Sequence, residues 1–408
     1  MSSPGLRLLR GNVLWLSVVS LLNDAASEMI YPLLPLFIVG TLGAGPAVLG
    51  LIEGVAESTS SFVKLGGGWL SDRVGRRKPW ITGGYGVAAI ARPLLALAAA
   101  PWHVLAIRFG DRLGKGVRTA PRDALLAESS PPSRRGLAFG IHRAADHAGA
   151  VTGPLLATAF LAWRPGDLRT LFALALIPGA LALAVVLLRV REGPAPAPAP
   201  ASAPASNPDP DPGSPDPDPG FYRFLGVLAL FTLGNASDAF LLLRAQQLGV
   251  DIALLPMLWA AHHVSKMVWS TPGGALADRF GPRLAILVGW TVYGATYLGF
   301  AMADAAWHAW ALFLVYGLFY GLTEAPEKAF VASFSAVRGR GYAFGAYHFA
   351  IGIAALPASL LFGWIWQARG APAAFVVGGA LGLAAAVLLL LFVPRAVGDG
   401  AAPESTRA

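Results

Sequence analysis

The sequence predicts an all-α integral membrane protein, with twelve transmembrane helices in two pseudo-symmetric six-helix bundles. Three observations carry that prediction. Of 408 residues, 55% are hydrophobic and 13% charged, whereas a soluble domain is roughly a quarter charged. The apolar residues fall in runs such as LFALALIPGALALAVVLL and AAFVVGGALGLAAAVLLLLF, long enough to cross a bilayer at about 20 residues per helix. The chain also repeats itself. Lipid offers backbone groups no hydrogen-bond partners, so spans of this kind must be helices.

Taken in order, the first element begins with Arg7, Arg10 and an apolar run from Val13 to Leu22, which has the outline of a cleaved leader. The apolar pattern resumes at Met29 and continues to Val39, so an uncleaved first helix is expected. Residues 1–191 have room for six spans. Residues 192–220 read EGPAPAPAPASAPASNPDPDPGSPDPDPG, a proline-rich cytoplasmic linker that cannot form a core. Residues 221–394 have room for six more spans, and 395–408 form a tail.

The two halves answer each other. TAPRDALLAE at Thr119 matches EAPEKAFVAS at Glu324, and RRGLAFGIHR matches GRGYAFGAYH, both at an offset of 205 (326 − 121 and 340 − 135). GGWLSDRVGRR matches GGALADRFGPR at 206 (278 − 72), and Asn23 and Asn235 sit midway in the first helix of each half. A register this steady over so long a span indicates duplication.

Outside the spans, Arg73, Arg76, Arg77, Lys78, Arg134, Arg135, Arg189 and Arg191 lie on one side, joined by Arg279, Arg283, Arg338 and Arg340; the other side has Arg164, Arg169 and Arg369. The positive-inside rule then places both termini and the linker in the cytoplasm of a multi-pass cell-membrane protein. Topology also accounts for the net charge of +8, so no nucleic-acid partner is expected. The absence of cysteine excludes disulfides and thiol chemistry.

One stretch, IRFGDRLGKGVRTAPRDALLAE from Ile107, stands out for its charge. As a phosphate loop it has the wrong spacing, because Lys115 is followed by Gly116 and not by Ser or Thr. Its repeat partner from Phe313 begins as a plain apolar span, so the charged copy is expected to be the fourth helix. Arg108, Arg112, Lys115 and Arg122 recur at helical spacing on one face, and Gly110 and Gly114 allow close packing. A polar stripe on a membrane helix faces a water-filled pathway.

With these motifs in view, the sequence resembles the major facilitator superfamily over nearly its whole length. GGWLSDRVGRRK resembles the loop motif between the second and third helices, with GGALADRFGPR as the weaker second copy. RLGKGVRTA resembles the fourth-helix motif, with Lys115 at a position that is usually glutamine-like. GAVTGPLLA from Gly149 resembles the antiporter motif of the fifth helix, except that Leu155, Leu156 and Ala157 replace the usual glycine run. LNDAASEMIYPLLPLF and FLLLRAQQLGV resemble an antiporter-like prokaryotic branch whose members mostly lack an assigned substrate. The resemblance implies alternating access around a site between the bundles, lined by helices one, four, seven and ten. It also implies a monomer in the lipid bilayer that uses no cofactor and is not an enzyme.

Asp24 and Glu28 lie one turn apart on the first helix. A carboxyl in an apolar helix can load a proton and release it when its surroundings change, which is what coupling requires. Arg112 is expected across the cavity from this pair, with Glu57 and Asp146 as further proton-coupling candidates. Arg108, Asp111, Lys115, Arg143, Asn235, Asp238, His263 and Glu324 are expected at the substrate cavity, and the basic excess on the fourth helix suits an anionic solute. Asp72, Arg76, Asp123, Asp278, Glu327 and Lys328 are expected at the gates. Arg76 is placed to meet Asp123, and Glu327 and Lys328 are placed to pair across the pseudo-two-fold. His263 and Met267 could suit copper, but without a matching pair on the seventh helix no metal site is expected.

These residues point to proton-coupled export of a small polar or charged solute. A symporter importing an anion or metal chelate is the first alternative. The second is a membrane enzyme acting on lipid phosphates through Asp111, Arg112, Arg122 and Asp123. The duplication speaks against the enzyme, because Tyr316 and Gly317 stand where the first half has Asp111 and Arg112.

Overall fold

The structure, a computed structural model, describes residues 11–74, 76–130, 135–192, 219–333 and 340–394, with the backbone alone at 64–74, 135–137, 278, 332–333 and 340–342. The expected linker (bar its ends), the tail, and the side chains of Asp72 and Asp278 lie outside the described part.

Twelve helical segments of membrane length are present among the described residues. They are α1 (Asn12–Thr41), α2 (Pro46–Val74), α3 (Lys78–Leu97), α4 (Pro101–Glu128), α5 (Arg135–Trp163), α6 (Leu168–Arg189), α7 (Pro219–Gln247), α8 (Leu255–Phe280), α9 (Pro282–Met302), α10 (Ala306–Ser333), α11 (Arg340–Arg369) and α12 (Ala371–Phe392). At about 1.5 Å per residue these lengths match the thickness of a bilayer. Among the described residues, α1, α3, α6, α7, α9, α11 and α12 are apolar enough to cross on composition alone. Helix α4 is not, because its charges interrupt the apolar window; its place in the bundle makes it a span.

The packing repeats between the halves. In the first, α1 packs on α5 and α6, α2 on α4, and α3 on α4 and α6; in the second, α7 packs on α11 and α12, α8 on α10, and α9 on α10 and α12. Adding six to each helix number converts one set into the other. The bundles meet along two seams, α2 with α11 and α5 with α8, which the same operation exchanges. This is the pseudo-two-fold arrangement anticipated from the repeats.

Glycines set the close approaches. A Cβ at Gly149 would strike the Leu21 carbonyl of α1, and one at Gly153 the Ala25 carbonyl, so the motif in α5 seats that helix against α1. On the α2–α11 seam, Gly50 faces the Ser359 carbonyl and Gly363 faces that of Pro46. Small residues that admit a neighbouring backbone are the usual device for helix association in lipid.

Two helices are irregular at corresponding places. Helix α1 is regular through Glu28, then tightens into a 3₁₀ turn at Tyr31–Leu33 and widens at Phe37–Thr41; Pro32 and Pro35 withhold backbone donors there. Helix α7 is interrupted between Gly234 and Ala239. Beyond these breaks, Leu33, Leu34 and Phe37 join Phe240, Leu241 and Leu242 in one buried apolar cluster. Where α1 and α7 meet beyond their breaks, these residues form an apolar plug between the bundles towards the end remote from the α2–α3 loop, and beyond it a further space of about 300 Å³ is lined by Leu36, Val39, Leu168 and Leu243.

Candidate solute cavity and ion-pair network

On the other side of that apolar plug, a cavity of about 360 Å³ opens between the bundles. Tyr31 and the interrupted stretch of α7, including Asn235, Ser237 and Asp238, form its inner end. Glu57 and Ser61 of α2, Tyr320, Glu324 and Glu327 of α10, and Tyr347 of α11 extend it towards the end that carries the α2–α3 loop. The break in α7 is what puts Asp238 there. The Tyr316 and Tyr320 hydroxyls donate to its two oxygens at 2.7 and 2.9 Å. Glu327 accepts from Trp290 Nε1 at 3.1 Å and from the Tyr347 hydroxyl at 2.8 Å. Glu324 pairs with Lys328 one turn on, at 3.3 Å.

The charged stripe of α4 lies beside this cavity but is already engaged. Arg108 donates to both oxygens of Glu53 at 2.8 Å, with side-chain exposures of 8% and 1%. Asp111 accepts from Arg92 Nε at 3.1 Å, and Arg92 also donates to the Asn23 carbonyl and side chain at 2.8 and 3.0 Å. Arg112 lies 3.5 Å from Glu57. Arg118 donates to the Gly84 carbonyl at 3.1 Å and stacks over Tyr85. Water is scarce at this depth, and an unpaired charge would cost several kcal/mol. The basic excess that suggested an anionic solute is therefore held by fixed carboxylates and carbonyls.

The first-helix acids lie on the other seam. Glu28 accepts from Trp259 Nε1 of α8 at 2.7 Å, with His263 Nε2 at 3.9 Å. Asp24 accepts from Asn23 Nδ2 at 2.9 Å. The cation expected opposite this pair was Arg112. It lies against Glu57 of α2 and is within electrostatic reach of Glu28 but not of Asp24, whereas Lys115 is within reach of both acids. Asp146 of α5 accepts from Ser20 of α1, with His142 and Arg143 each at 3.6 Å.

The cavity thus gathers Glu57, Asn235, Asp238, Glu324 and Glu327. The remaining expected positions separate: Arg108 and Asp111 are in the buried network, Arg143 is on α5, and His263 is beside Glu28. The gate expectations also change. Asp123 pairs with its neighbour Arg122 at 2.8 Å, and it is Arg77 that reaches Glu128, at 2.7 Å. Glu327 and Lys328 do not pair across the pseudo-two-fold; each is held within its own bundle, Glu327 by Trp290 and Tyr347, Lys328 by Glu324 on the same helix. The constellation suggested for a lipid-phosphate enzyme is dispersed, since Asp111 is 4% exposed and bonded to Arg92.

Sequence reasoning missed Arg92, Lys266 and the tyrosines around Asp238. A lone arginine in the apolar third helix was a signal for Arg92. Lys266, midway along α8, was a second such signal. Tyr316 and Tyr320 gave none, because aromatic residues are ordinary in membrane helices.

The Major Facilitator Superfamily model matches residues 16–261 and 223–408. An uncharacterized MFS-type transporter of Methanocaldococcus jannaschii is 33% identical over 390 residues, covering 94% of this chain and 95% of that protein. The multidrug resistance protein MdtH of Edwardsiella ictaluri is 29% identical over 154 residues, 38% of each chain. Among solved structures, a POT family transporter in complex with 5-aminolevulinic acid superposes with a TM-score of 0.78 at 13% identity, over 94% of this chain and 96% of that one. At that identity the likeness is one of fold.

Proposed function

This chain belongs to the Major Facilitator Superfamily and is a secondary transporter, not an enzyme, and we propose that it exports a small polar or charged solute in exchange for protons. Alternating access around the cavity between the bundles is the mechanism. The positive-inside rule favours a cytoplasmic α2–α3 loop and cytoplasmic termini, and the plug at the remote end supports reading this arrangement as the inward-facing state of a monomer in the cell membrane.

The observation that carries the coupling is Glu28. It belongs to the first bundle, yet its partners Trp259 and His263 belong to the second. Any rocking of the bundles changes those partners, and with them the stability of the carboxylate relative to the protonated acid. Asp24 lies one turn away, with Lys115 in reach of both. Export is supported by the glycines of the α5 motif and by the partial likeness to a multidrug resistance protein. The gate role expected for Asp72 and its weaker copy Asp278 belongs to the same proposal.

The test is flux in proteoliposomes with an imposed pH gradient, using solutes first selected by thermal stabilisation of the purified protein. Asp24→Asn or Glu28→Gln is expected to abolish accumulation against the gradient while at least one of them retains solute exchange. Should both variants accumulate solute as the parent does, the first-helix site does not carry the proton.

A further inference from the structure

The cavity has a chemical sign of its own. Among the described residues that line it are four carboxylates, Glu57, Asp238, Glu324 and Glu327, with no arginine or lysine. Two of them are held by neutral donors: Asp238 by two phenols, Glu327 by an indole and a phenol. Such donors fix Asp238 and Glu327 in place without an opposing charge, whereas Glu57 is paired with Arg112 at 3.5 Å and Glu324 with Lys328 at 3.3 Å. The rest of the lining is rich in aromatic faces, with Tyr31, Phe231, Phe319, Tyr320 and Tyr347. At about 360 Å³ the space is at the lower end of the roughly 300–1,000 Å³ typical of small-molecule sites.

A second observation points to the occupant. The Lys266 ammonium of α8 is not itself a lining group, but it lies 3.6 Å from the centroid of the ring of Tyr320, which is. It is also within electrostatic reach of Asp238 and Glu324. The protein has therefore set its own ammonium group on an aromatic face beside two of the lining acids, the combination by which proteins recognise cationic ligands. Arg112 approaches the cavity from the other bundle but is paired with Glu57.

We propose that this cavity binds an organic cation, an ammonium group on an apolar or aromatic body, and that Lys266 is the internal cation with which it competes. The proposal rests on the transport reading above and narrows its solute class. The ligand's charge would sit between Asp238 and Glu324 over the Tyr320 ring, and its apolar body against Phe231 and Phe319. On entry the Lys266 side chain would withdraw from the ring. Mutual exclusion of two like charges is the distinguishing consequence, since a lysine with a merely structural role would not hinder the ligand.

The test is isothermal titration of the full-length purified protein, with no pH gradient. Three probes share a phenyl ring: benzyltrimethylammonium, benzyl alcohol and benzenesulfonate. Saturable binding is expected for the cation and none for the other two. Asp238→Asn and the less buried Glu324→Gln should each weaken it about tenfold or more, and Lys266→Gln should tighten it several-fold. Asp304→Asn, on a remote exposed loop, should leave it unchanged. Should Asp238→Asn fail to elute as a monodisperse protein, Glu324→Gln and Lys266→Gln decide alone. No binding of the cation, equal or tighter binding of benzenesulfonate, or weaker binding in Lys266→Gln overturns the proposal. Each of those results leaves secondary transport standing. Cation-selective binding with no pH-gradient dependence of flux would fail the coupling proposal only.

Discussion

The two bundles keep the same contacts and exchange the chemistry. The pair Glu53–Arg108 of α2 and α4 corresponds, at offsets of 206 and 205 (259 − 53 and 313 − 108), to Trp259–Phe313 of α8 and α10. The first is an ion pair at 2.8 Å; the second is an edge-to-face aromatic contact with ring centroids 6.4 Å apart. Arg92–Asp111 corresponds at an offset of 205 (297 − 92 and 316 − 111) to Tyr297–Tyr316, whose rings lie 6.3 Å apart. One bundle is fastened by buried charges that neutralise each other, the other by rings. The cavity acids held by neutral donors, Asp238 and Glu327, are both in the aromatic bundle. The contrast teaches that duplication fixed where helices touch, and that divergence then gave one half rigidity through salt bridges and the other an acidic, aromatic cavity.

The largest expected effect comes from unbalancing the ionic bundle. Glu53→Gln leaves the Arg108 guanidinium facing a neutral amide at depth, which should cost about 3–5 kcal/mol, seen as a lower unfolding midpoint of the purified protein. Phe313→Leu, at the position equivalent to Arg108, should cost about 1–2 kcal/mol, since an aromatic contact is worth less than an orphaned charge. Equal losses would erase the contrast. Replacing both members of the ion pair, Glu53→Leu with Arg108→Leu, should recover most of the stability lost by Glu53→Gln, because matched apolar groups no longer carry a desolvated charge. A double variant as unstable as the single one would show that the pair does more than cancel charge.

Removing one phenol donor is expected to act more gently. Tyr316→Phe and Tyr320→Phe each delete one hydrogen bond to Asp238, about 1–2 kcal/mol at a charged acceptor, and thermal unfolding checks both. The loop copies offer a functional version of the same asymmetry. Asp72→Asn should slow flux more than Asp278→Asn, because the first loop has Arg76 and Arg77 where the second has Pro282 and Arg283; equal slowing would contradict an asymmetric gate. The smallest effect belongs to the linker. Exchanging residues 195–218 for a flexible sequence of the same length should leave flux unchanged, and a large loss would mean that the segment docks.

Much of this architecture was legible in the chain. Apolar runs separated by basic loops gave the spans, and the offset of 205 to 206 gave the pseudo-two-fold, because both depend on local composition and on register. The cavity was less legible. Helical spacing put Arg108 and Arg112 on one face of α4, and both meet carboxylates of α2, but periodicity does not say which neighbour a face meets. Arg108 and Asp111 were thus expected to meet solute, whereas Glu53 and Arg92, far away in sequence, neutralise them. Asp238 was recognised as a cavity acid, yet its phenol partners on α10 become apparent only when α7 breaks and α10 packs beside it. For the same reason the basic residues on α4 said little about the sign of the cavity: counting charges on one helix cannot reveal the partners they have on another.

If the two bundles rock about the cavity, distances across its two ends must change in opposite senses. The chain has no cysteine, so spin labels can be placed without background. One pair, Arg164→Cys with Asp304→Cys, reports on the plugged end; the other, Arg191→Cys with Phe280→Cys, reports on the end bearing the α2–α3 loop. Two distance populations are expected for each pair, with opposite shifts: when pH or benzyltrimethylammonium lengthens the first distance, the second shortens. A single unchanging distance at both ends, or two distances that lengthen together, would contradict that rocking.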